Sequence, residues 1–125
     1  MRPLSTSFIR AAVIYSLIAM SIGIMMVTID DHAQMPTHAH MMLIGFVMMF
    51  LFGLFYRAWP QAEAGWLPVI HFIVANLSLI GMAIGFWIIY EGDPDTGEMF
   101  TAPSTSIMIF NQALFGWIAF RGTRA

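Results

Sequence analysis

Cysteine is absent, so disulfides, thiolate metal sites and cysteine nucleophiles are excluded, and the redox compartment has to be read from other features. Charge is equally scarce. Only 10% of the 125 residues are Asp, Glu, Lys or Arg, against about 25% in an ordinary soluble domain. Net charge is −2 and there is no basic run, which removes nucleic acid as a partner. No internal repeat or low-complexity tract is visible. What is abundant is apolar: 59% of the residues are hydrophobic, and they fall in long runs. Such a chain takes the lipid bilayer as its partner. One span needs about 20 apolar residues, so four spans with short connections fill the chain as a single domain, 1–125.

The runs place the spans. MRPLSTSFIR carries Arg2 and Arg10, and an uncharged stretch follows from 11 to 29. It is longer than the roughly 7–15 residues of a signal-peptide core and ends in no small-x-small cleavage site, so it reads as a retained first helix, about 8–29. Asp30, Asp31 and His32 close it. Pro36 suits a helix start, with Thr37 as its cap, and the second helix runs from about 37 to 58, stopping before Pro60. The third is about 66–90, with Pro68 in its first turn and Trp66, Trp87 and Tyr90 near its ends as interfacial aromatics. EGDPDTGEMFTAP (91–103) reads as an acidic, turn-rich loop, and the fourth helix as about 104–120. The expected fold is an all-α membrane protein, a four-transmembrane-helix bundle.

Arg2, Arg10, Arg57, Arg121 and Arg124 then share one side. The positive-inside rule makes that side, and both termini, cytoplasmic in a bacterial-type inner membrane. Asp30, Asp31, Glu91, Asp93, Asp95 and Glu98 fall on the other side, with Glu63 alone among the acids on the arginine side.

The chemistry lies in the histidines, since an ionisable group inside a bilayer points to function. His38 and His40 open the second helix and precede the uncharged run 41–56. Two residues apart at about 100° per residue, they point about 200° away from each other and cannot chelate one ion in regular helix. One helix would present one imidazole to each of two sites, or one ligand and one hydrogen-bonded histidine. His71 sits near the opposite face, roughly 15–20 Å from His40 along the membrane normal, so a single metal cannot take both from one chain. It reads as a hydrogen-bonded packing residue, near Asn76 or a neighbouring helix, with a second metal site or proton transfer as the alternatives. His32 reads as a solvated loop residue, with outer copper or zinc binding as its alternative. The methionines, among them Met25, Met26, Met41 and Met42, are mostly packing. Gly81 and Gly85 form a small-xxx-small pair permitting close helix approach. Asn111 and Gln112 face protein.

The run from His38 to Pro60 resembles the tenth helix of the catalytic subunit of haem–copper oxidases. The matching residues are His38-Ala39-His40, the apolar stretch after them, Gly53, Phe55 and Trp59-Pro60. It also resembles the second helix of that subunit and of its nitric-oxide-reductase relatives, with His38 as the matching ligand, Met42 four residues on and Gly45 beyond. The resemblance implies haem b held by His38 and His40, with Met42 and Gly45 beside it. The copper-binding histidine cluster, a His-x-x-x-Tyr pattern and outer arginines for propionates are missing, so an oxygen-reducing centre is not implied. The oxidase subunit has twelve helices in three arcs of four, which a homotrimer of this chain would rebuild, with His38 of one copy facing His40 of the next. The expected function is a b-type haem protein passing electrons in the membrane to a respiratory redox partner. The alternative is copper or haem handling, or an oxidase assembly or accessory role without redox chemistry. Whether the chain is an enzyme stays open.

Overall fold

Four long helices follow from the apolar runs, and their boundaries follow from prolines and caps. The computed structural model describes residues 3–124. Helix α1 spans Leu4–Ile29, α2 spans Met35–Ala58, α3 spans Leu67–Tyr90 and α4 spans Pro94–Gly122, with a 3-10 turn at Pro60–Glu63. No strand occurs among the described residues. Three helices, α1, α2 and α3, are long and apolar enough to cross a membrane. The fourth is diluted by Pro94, Asp95, Gly97 and Glu98 at its start and by Asn111 and Gln112 in its middle.

The connections are built from local hydrogen bonds. Asp30 ends α1 in the left-handed region, at φ 52°, and its N–H returns to Val27 O. Short polar side chains tolerate that conformation. Pro36 stands in the first turn of α2, where a missing N–H costs nothing. Thr37 is not the cap expected of it. Its hydroxyl donates to Gln34 Oε1 at 2.7 Å, and Gln34 occupies the cap position. The acidic segment after α3 is not a loop either. Pro94 starts α4 ten residues before Ser104, the expected start, because Asp93 caps it: Asp93 Oδ1 accepts from Thr96 N–H at 3.1 Å. Pro103 is carried inside this helix.

The helices pair as two hairpins, α1 with α2 and α3 with α4, through small residues. A Cβ on Gly53 would stand 2.6 Å from Ile9 Cγ1 and 3.0 Å from Ser5 O, so only glycine lets α2 cross α1 there. In the second hairpin a Cβ on Gly85 would meet Gly97 O at 2.7 Å, and one on Gly81 would collide with Ser104. Gly85 therefore seats α3 on the part of α4 expected to be loop, and Gly81 seats it on Ser104 just beyond. Close approach of this kind is what holds helices together where lipid removes the hydrophobic drive. The two hairpins meet through Phe8, Phe52, Tyr56, Leu79 and Met82, all buried, while Ile24, Leu51, Leu77 and Phe110 face outward.

Both ends are tied. Glu63 accepts from Leu4 N–H at 3.3 Å and Ser5 N–H at 2.9 Å, capping α1 from the α2–α3 turn. Gln61 Nε2 donates to Gly122 O at 2.8 Å. The start of α1, the α2–α3 turn and the end of α4 thus share one end, with Arg10, Arg57, Arg121 and Arg124; Arg2 lies outside the described residues. At the other end Gln34 Nε2 donates to Trp87 O at 3.1 Å and Glu91 Oε1 at 2.9 Å, pinning the α1–α2 connection onto α3.

Candidate functional site

His38 and His40 lie in the first, α-helical part of α2, Met35–His40. From Met41 to Met48 the helix is π-helical. Runs of this kind are rare and cluster at functional sites. Because both histidines precede it, their angular relation is that of regular helix, and the rings meet different neighbours. His38 turns towards α1, where its Nδ1 is 2.6 Å from Ala19 O. Its ring lies over Gly23: a Cβ there would stand 3.0 Å from His38 Cε1. His40 turns towards α3, its ring centroid 4.5 Å from that of Phe86, and its Nδ1 is 2.7 Å from Pro36 O.

A carbonyl oxygen only accepts, so in both rings Nδ1 carries the hydrogen, and in the neutral ring Nε2 carries the lone pair. Neither Nε2 has a hydrogen-bond partner among the described residues, and neither is among the buried unpaired atoms. Both lone pairs therefore sit at the bundle surface, each on a ring locked by a backbone carbonyl. Histidines that bind metal are oriented in this way, with the second nitrogen donating to a carbonyl or carboxylate. Beside His38 runs an open groove walled by Met20, Gly23, Ile24, Val27 and Thr28 of α1.

The other expected site residues are dispersed. Met42 is half-buried two residues past His40. Gly45 is shut into helix packing, since a Cβ there would meet Tyr15 Cβ at 2.9 Å and Leu79 Cδ2 at 3.2 Å. It lets α2 touch α1 and α3 and offers no face to a flat ligand in this chain. His32 is exposed on the α1–α2 connection. No group of three or more His, Cys, Asp or Glu side chains converges among the described residues.

His71 occupies a different world. The rise of α3 from His71 to Phe86 is about 22 Å, so it lies near the opposite end from His40. It is fully buried. Phe52 stands edge-on at 4.5 Å, and Phe8 and Phe115 lie at 5.1 Å. Its partner is Tyr56, whose Oη is 2.9 Å from Nδ1, and not Asn76, which accepts from Tyr15 Oη at 2.6 Å. Asn111 Nδ2 donates to His71 O at 3.3 Å. His71 Nε2 and Asn111 Oδ1 are left buried without partners, each costing about 1–3 kcal/mol.

Asn111 faces protein as expected, whereas Gln112, one residue on, is exposed; reading residues alone missed Tyr56 and the Glu63 cap. Tyr56 and Asn111 carry the available signal: polar side chains in apolar runs must find each other. Compared with known proteins, the chain matches no family model, no curated protein and no solved structure.

Proposed function

We propose that this chain is a four-pass inner-membrane b-type haem protein that transfers electrons, with His38 and His40 as the axial ligands. The observation that carries the reading is the pair of carbonyl-locked imidazoles with free Nε2 atoms at one end of α2. The fourth pass is α4, the end bearing the termini is cytoplasmic, and the histidines lie near the outer face.

The donor set fits haem. Each ring offers an unprotonated nitrogen, and each is held against rotation by its own Nδ1–H bond. The rings face α1 and α3 respectively, so one chain cannot close both around one iron. A homo-oligomer answers this, with His38 of one copy opposite His40 of the next, and a homotrimer would give the twelve-helix ring of haem–copper oxidases by analogy of fold. Met20, Gly23 and Val27 would wall the macrocycle beside His38. A bis-imidazole haem supplies one-electron chemistry without an open coordination position. What the chain supplies is orientation, an apolar wall and exclusion of water.

Optical spectra of the detergent-purified protein, oxidised and reduced, are the test. Sharp six-coordinate haem bands are expected, lost in both His38→Ala and His40→Ala. Full haem in both variants would overturn the ligand assignment. A colourless, metal-free protein favours the accessory role.

A further inference from the structure

Gln112 stands on the outer surface of α4, and its amide is unpaired among the described residues. The side-chain hydrogen bonds of this part of α4 are made by Ser106, Asn111 and Thr123, and none by Gln112. Gln112 walls an open groove of about 260 Å³ between α2 and α4, with Ile44 and Met48 on the α2 side. Those two residues lie near the midpoint of Met35–Ala58, a helix apolar enough to cross a membrane. Gln112 therefore sits at mid-depth, where lipid offers an amide no partner. One turn on, Gly116 is a second anomaly. A Cβ there would meet nothing within 4 Å, whereas a Cβ on any other helical glycine would come within 3.0 Å of a neighbouring element. Gly65 and Gly92 take positive φ between helices. Glycine in a helix interior is less stable than alanine, and what it offers in return is close approach of a second backbone. Gly116 makes no such approach within its own chain.

We infer that α4 is the face on which copies of this chain join, with Gln112 of one against Gln112 of the next and Gly116 at the closest approach. The two residues belong to one stripe. Ala102, Thr105, Ile109, Gln112, Gly116 and Ala119 recur at alternating spacings of three and four, the pattern of a heptad seam. All six face outward, wholly or in part. The occupant is a second copy because the seam is complementary to itself. Copies inserted in one orientation are related by an axis along the membrane normal. Their α4 helices then run parallel, and each residue meets its own counterpart at the same depth. A primary amide has two N–H donors and a carbonyl acceptor, so two Gln112 side chains satisfy each other. One polar residue in such a seam also fixes its register. The groove beside Gln112 receives the side chain that interlocking helices send across. No seam residue is a proposed haem ligand or walls the His38 groove, so the contact does not depend on the haem reading.

The chain has no cysteine, so single-cysteine variants of the full chain each report one position. They are treated with a membrane-permeant oxidant in isolated membranes, and disulfide-linked pairs of the chain are read on a non-reducing gel. Ile109 is 67% exposed and Phe110 76%, but Phe110 and Trp117 lie more than about 100° round the helix from the centre of the seam. Linked pairs are expected in Thr105→Cys and Ile109→Cys, and not in Phe110→Cys or Trp117→Cys. Association without a cross-link is read by energy transfer between labelled copies diluted in lipid vesicles. Gly116→Ile should abolish it, and Gln112→Leu should weaken it roughly tenfold, the scale of one hydrogen bond between membrane helices. Both positions open outward, so neither substitution disturbs the bundle. Equal linking at Ile109→Cys and Phe110→Cys, no linking at either, or linking of Ile109→Cys only to a protein of another mass would overturn the self-docking seam. So would association that both Gly116→Ile and Gln112→Leu leave unchanged.

Discussion

His38 and His71 are the same side chain at opposite ends of one bundle, and they differ in what surrounds the second ring nitrogen. His38 commits Nδ1 to a backbone carbonyl and keeps Nε2 at an open groove. His71 commits Nδ1 to a phenol and keeps Nε2 in a box of phenylalanine. The first arrangement fixes the tautomer and suits a ligand for an external iron. The second holds the ring inside the bundle, bonded to one phenol and closed off from solvent. The environment, and not the residue type, separates the two roles.

The sealed end should be the stability centre. Phe8 is fully buried against Phe52, Tyr56, His71 and Phe72. Phe8→Ala is expected to cost about 3–5 kcal/mol, from the lost contacts and the cavity left behind. Val27→Ala, at the open groove and 73% exposed, should fall within about 0.5 kcal/mol of wild type. Unfolding in mixed micelles measures both. Equal losses would break the comparison.

The π-helical run joins the two ends, and its removal asks whether they are independent. Bonding from i to i+5 closes a wider ring than the i to i+4 bond of an α-helix, so deleting one residue from the run shifts α2 towards regular helix. Leu43 is 62% exposed, so its own side chain contributes little to the core. The deletion variant should keep its circular dichroism and unfold within about 1 kcal/mol of wild type. Its histidines shift by about 1.5 Å along α1, enough to loosen His38 from Ala19 and, on the haem reading proposed above, to broaden the haem bands. An unfolded variant would show that the π-helical run also holds the sealed end together.

Much of this architecture is legible in the residues. The apolar runs announce α1, α2 and α3, and 100° per residue separates His38 from His40 before any neighbour is known. Three features are not legible for physical reasons. The π-helical run has no compositional mark, because an apolar stretch such as Met41–Met48 forms regular helix equally well. Asp93-Pro94 is a cap-and-first-turn signal, but the glycines and acids around it read as loop; what makes this stretch helical is Gly97 against Gly85, a contact that exists only after α3 and α4 pair. Tyr56 and His71 meet because α2 and α3 cross there, which no spacing within either helix encodes.

The smallest expected effect concerns that same cap. The Asp93 carboxylate accepts a hydrogen bond from Thr96, which holds it below the ordinary value of 3.8. A carboxyl whose folded value is depressed contributes its stability in full above the unfolded value and loses it as pH falls through the folded one. Between pH 7 and pH 5, both above the ordinary carboxylate value, the start of α4 should therefore be unchanged. Below pH 3.8 the carboxyl protonates, the Thr96 N–H loses its acceptor, and Pro94–Gly97 frays at the His38/His40 end. Hydrogen exchange at the Thr96 amide reads this directly, with the amides of Phe8 and Phe52 at the sealed end as the internal reference. Asp93→Asn should remove the acid step and leave the rest of the profile in place. If Thr96 and Phe52 instead lost protection together, the two ends would unfold as one unit and the contrast between them would be one of chemistry alone.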